Sequence, residues 1–140
     1  MARSMGADNF LTPDPERSFP DQVAAALGGP ADIVFDCAGA PGSLDQAVSA
    51  VRRYGTIASP GFCWVPDSFS PLWAMLKDVT IRFTNMYNTR DFETAIGALD
   101  QGHVAPRTMV TDVVTLNEAP AAFEMLLERN HQCKVMIRPV

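Results

Sequence analysis

Asp32-Ile-Val-Phe-Asp-Cys37 is a short, β-rich apolar run that stops at Ala-Gly-Ala-Pro-Gly. A run of that kind bounded by turn residues reads as a strand buried on both faces. Gly55-Thr-Ile-Ala-Ser59 followed by Pro60-Gly61 repeats the pattern, and Val79 to Thr84 supplies a third, more alternating strand. Helical stripes fill the gaps. Leu44, Ala47, Val48 and Val51 share one face. Ser43 and Gln46 stand at capping-box spacing. Strand, helix, strand at this spacing predicts right-handed βαβ crossovers and a parallel sheet.

The flanks are read the same way. Met1 to Asp8 reads as the end of a helix, and Asn9-Phe-Leu11 as a short strand. Ser18 and Pro20 open a helix carrying Val23, Ala24 and Leu27 inward, stopped by Gly28-Gly29. Phe92, Ala95, Ile96 and Leu99 form a further stripe, stopped by Gly102. A last helix is expected from about Glu118 to Arg129, capped by Asn117, with Ala119, Ala122, Phe123 and Leu126 inward. Cys133 to Ile137 closes the chain as a strand.

Composition narrows the function classes. The 140 residues are 47% hydrophobic and 19% charged, enough for a packed core. The net charge of −5 argues against a broad basic surface for nucleic acid. No apolar run nears the ~20 residues that cross a bilayer, and the first ten residues do not form a secretory signal. Cys37, Cys63 and Cys133 are odd in number and lack Cys-x-x-Cys spacing, so they read as reduced thiols of a cytoplasmic protein. His103 and His131 stand alone, which gives a metal site no support.

A parallel sheet keeps its chemistry at the carboxyl ends of its strands. Those ends are Cys37 to Ala40, Ser59 to Phe62, and Thr84 to Met86. The glycines there either let a ligand approach the backbone or simply make turns. The chain has no Gly-x-Gly-x-x-Gly, and it opens as though inside its sheet. The expectation is a fragment, or half of an architecture completed by something else.

Ala2-Arg-Ser-Met-Gly-Ala-Asp8, Gly29-Pro-Ala-Asp-Ile-Val-Phe-Asp-Cys-Ala-Gly-Ala40 and Arg53-Tyr-Gly-Thr-Ile57 follow in order. After them come Leu99-Asp-Gln-Gly-His-Val-Ala-Pro106, Leu116-Asn-Glu-Ala-Pro-Ala-Ala-Phe123 and Lys134-Val-Met-Ile-Arg-Pro139. Together they resemble the C-terminal part of the medium-chain dehydrogenase/reductase family, the zinc-type alcohol, polyol and threonine dehydrogenases. The resemblance implies an α/β fold: a partial Rossmann-like, doubly wound parallel sheet lacking its first βαβ unit, with a C-terminal α+β tail. Residues 1–86 would be the partial NAD(P)-binding domain. Residues 87–140 would be a helix-strand segment that in the family returns to the catalytic domain.

The same resemblance implies hydride transfer between a small alcohol or carbonyl substrate and NAD or NADP in the intact enzyme. Ala38 and Gly39 match the loop beside the cofactor, Pro60 and Gly61 the loop near the nicotinamide, and Asn85 and Met86 the next strand end. Lys134 matches a position near the pyrophosphate, or is an ordinary surface lysine. Asp36 matches an acidic position beside the cofactor loop rather than a catalytic acid. Phe62, Trp64 and Trp73 either reach a substrate pocket or serve as core and interface aromatics. The edge Thr80 to Thr84 matches the strand that pairs with its copy in family dimers. Zinc belongs only to the intact enzyme, and no catalytic or metal-binding residue is assigned here. The chain alone is then expected to be inactive, and to bind NAD or NADP weakly or not at all because the glycine-rich pyrophosphate loop is missing. The alternative is a non-enzymatic module that pairs with itself or a partner through the open sheet edge.

Overall fold

The computed structural model describes residues 2–102, 106–128 and 131–139. The chain divides into two compact units, Ala2–Met86 and Tyr87–Val140. His103 and Arg129, named above, lie outside the described residues.

The first unit is built on strands β1 (Ala31–Phe35), β2 (Val51–Ser59) and β3 (Thr80–Phe83). They form a three-stranded parallel sheet in the order β1-β2-β3, with Val34 opposite Ile57 and Ile57 opposite Ile81. This is the partial parallel α/β sheet expected. Helix α1 (Phe19–Leu27) precedes β1, α2 (Ser43–Ala50) links β1 to β2, and α3 (Pro71–Leu76) links β2 to β3. The core joins α2 to the central strand: Leu44, Ala47, Val48, Val51 and Ile57 are buried together. Val48, Val51 and Ile57 are the largest fully buried side chains, each worth about 1.5–3 kcal/mol of apolar burial.

Several local expectations change. Residues 9–11 form no strand; Asn9 instead donates its side-chain amide to the Ala26 carbonyl in the last turn of α1 at 2.8 Å. Leu27 is exposed, and the buried residue of α1 is Gln22. Its side chain bridges Asp14 and the Arg17 carbonyl, tying the loop before the helix to its first turn. Gly42, in the left-handed region, is the N-cap of α2, so Ser43 makes no capping box. Strand β2 starts at Val51, directly after α2, rather than at Gly55. Gly55 lies within it, and a Cβ there would meet Val51 Cγ2 and the Asp32 carbonyl at 3.0 Å or less, so the position requires glycine. The carboxyl end of α2 is satisfied by Lys77, whose Nζ donates to the carbonyls of Val48, Ser49 and Val51 at 2.8–2.9 Å.

The second unit has α4 (Thr89–Asp100), β4 (Val110–Thr115), α5 (Ala119–Met125) and β5 (Lys134–Arg138), with β4 parallel to β5. A capping box between Asn88 and Asp91 starts α4. The Phe92, Ile96 and Leu99 stripe is about half exposed. The last helix is shorter than expected. A 3-10 turn at Leu116–Glu118 precedes it, and another at Leu126–Glu128 ends it. The Thr115–Glu118 capping box starts that first 3-10 turn, and the N-cap of α5 is Glu118 rather than Asn117. Ala122 is buried while Phe123 is exposed.

Candidate functional site

The carboxyl ends of β1, β2 and β3 open onto a cleft of about 400 Å3. Asp36, one residue past β1, organises it. It is buried at 8% exposure, and its carboxylate gathers three elements. Oδ1 accepts from the Ala38 amide at 3.2 Å and the Gly39 amide at 3.5 Å. Oδ2 accepts from Ser43 Oγ at 3.0 Å and Ser59 Oγ at 3.3 Å. The loop after β1, the first residue of α2 and the last residue of β2 are therefore fixed to one carboxylate. A buried carboxylate is tolerated where hydrogen bonds replace water in this way.

Backbone contacts lock the two glycine loops together. The Gly61 amide donates to the Asp36 carbonyl at 2.9 Å, and the Thr84 amide donates to the Ser59 carbonyl at 3.2 Å. Gly39 has φ +57°, and a Cβ on it would lie 2.7 Å from the Phe62 carbonyl. A Cβ on Gly61 would lie 2.8 Å from Gly39 Cα. Neither glycine is only a turn residue: each is required because backbone packs on backbone there.

Of the positions singled out from sequence, Gly39, Gly61 and Asn85 line the cleft. Ala38 and Pro60 belong to its loops without lining it. Met86 follows Asn85 but is 82% exposed, with φ +52°. Lys134 opens β5 in the second unit and is exposed. Phe62 lines the cleft; Trp64 stacks near it with ring centroids 5.0 Å apart, and Trp73 lies on α3. Ser59 and Thr84, which also line the cleft, stand in the strand ends named from sequence but had no role assigned, and Ser43 and Asp67 were not named there. The signal available for Ser59 and Thr84 was their place at strand ends. Asp67 had none, because its position depends on how the loop after β2 folds back.

The donor set does not fit zinc: no group of three or more His, Cys, Asp or Glu side chains converges among the described residues. Cys37, Cys63 and Cys133 are free thiols. Among the described residues, no lysine or arginine lines the cleft. Glycine loops with neutral polar groups at Thr84 and Asn85 do fit the uncharged polar end of a flat ligand. Among the described residues no helix is long and apolar enough to cross a membrane.

Comparison with known proteins agrees with this geometry. The sequence profile described as zinc-binding dehydrogenase matches residues 1–101. A probable D-xylulose reductase A of Arthroderma otae is 31% identical over 98 residues, covering 70% of this chain and 28% of its own. The D-xylulose reductase A of Aspergillus oryzae is 30% identical over 97 residues. The matched segment thus spans little more than a quarter of these curated relatives, 28% and 27% of their lengths. Among solved structures, an alcohol dehydrogenase from Thermotoga maritima superposes with a TM-score of 0.84 at 24% identity, over 99% of this chain and 40% of that one. An alcohol dehydrogenase from E. coli in complex with NADH gives a TM-score of 0.84 at 22% identity, over 99% and 40%. These structures share the fold, the profile spans most of the chain, and the chain belongs to the zinc-binding dehydrogenase family of oxidoreductases.

Proposed function

We propose that this chain is the cofactor-domain portion of an NAD(P)-dependent oxidoreductase acting on a small alcohol, polyol or carbonyl compound. The observation that carries the reading is the cleft where three parallel strands end, walled by two glycine loops clamped to Asp36. Parallel α/β sheets bind ligands at that edge. Solved structures of the same fold contain NADH or NADP. When bound, the nicotinamide supplies hydride transfer.

The residues of this chain hold and orient. Gly39 and Gly61 keep the wall free of side chains, and Asp36 fixes the loops before any ligand arrives. Asn85 and Thr84 offer polar groups to an amide. Ala38, Pro60 and Met86 belong to the same loops, and Lys134 is the residue proposed for the pyrophosphate. The intact enzyme works in the cytoplasm, with zinc held by residues other than those described here. The 140 residues alone do not reduce NAD+ with an alcohol. A spectrophotometric assay of this chain over a panel of alcohols and polyols tests this; turnover above background would overturn it.

A second reading rests on β3, which forms an open edge of the sheet. Phe83 is 70% exposed there, and Ile81 is half-buried. An open apolar edge is a template for strand pairing. We infer that a second copy pairs along Thr80–Thr84. Without cofactor binding, that edge would make the chain a non-enzymatic pairing module. A dimer in sedimentation that Phe83→Lys converts to monomer supports the pairing; a wild-type monomer contradicts it.

A further inference from the structure

We draw no further inference here: the strongest candidate, the apolar groove along the open edge of β1, where Ile33 and Phe35 are exposed beside Phe19 and Val23 of α1, carries nothing because nothing in the structure shows what covers it.

Discussion

Asp36 shows how one side chain can hold a site together without touching a substrate. Its two oxygens serve two backbone amides and two hydroxyls drawn from three elements. Asp36→Ala removes the acceptor for all of them inside a buried position, and should cost about 2–4 kcal/mol in chemical denaturation. Asp36→Asn keeps one acceptor oxygen and should cost less. Lys77 makes a comparable prediction at the other end of α2. Burial lowers its pKa, yet its ammonium group satisfies three carbonyls at the helix terminus. Lys77→Met should lower stability by about 1–3 kcal/mol, because those carbonyls lose their partner. Gly39→Ala puts a Cβ into the Phe62 backbone at a positive φ. It should disturb the cleft more than Gly28→Ala, where the Cβ meets nothing within 4 Å.

At the scale of elements, the three strands of the first sheet and α2 were legible because buried apolar runs and a helical stripe are strong periodic signals. The ends of the elements were not. Ser43 sits where a capping serine would, but the Asp36 carboxylate claims its hydroxyl, and Gly42 takes the cap position. Nothing local in the sequence announces a partner seven residues away. Val110–Thr115 was missed as a strand, although its Val and Thr content suits one. Its pairing with β5 is a contact over more than twenty residues. The Gly39, Gly61 and Asn85 positions of the cleft were legible as strand ends, and Asp67 was not.

The Thr115–Glu118 box carries a pH prediction. The Thr115 backbone amide, and then its hydroxyl, hold the exposed Glu118 carboxyl below its ordinary pKa of 4.5. A carboxyl whose pKa is lower folded than unfolded stabilises the fold above the unfolded value. That contribution is lost as pH falls through the folded value. The turn leading into α5 should therefore loosen only on acidification below about 4.5, seen as a loss of protection of the Thr115 amide relative to its intrinsic exchange rate at each pH. Glu118→Gln should remove the dependence.

For the whole molecule, the two units have different prospects. The first has a buried cluster joining helix and sheet, whereas the second buries few large side chains. Val113, Leu116, Phe123, Leu127 and Met136 are all about half exposed or more. Elements with little apolar burial open locally at low free energy. Amides from Asp112 onward should exchange faster than those of β1 and β2; uniform protection would contradict this.

The central claim is that the strand-end cleft of the first unit holds the nicotinamide end of a cofactor. It is tested most directly by mapping amide shifts in an NMR spectrum of the intact chain as NAD+ is added to about millimolar concentration. The account predicts saturable shifts centred on Gly39, Gly61 and Asn85, weakened by Gly39→Ala. Shifts centred elsewhere, or a spectrum that NAD+ leaves unchanged, would contradict it.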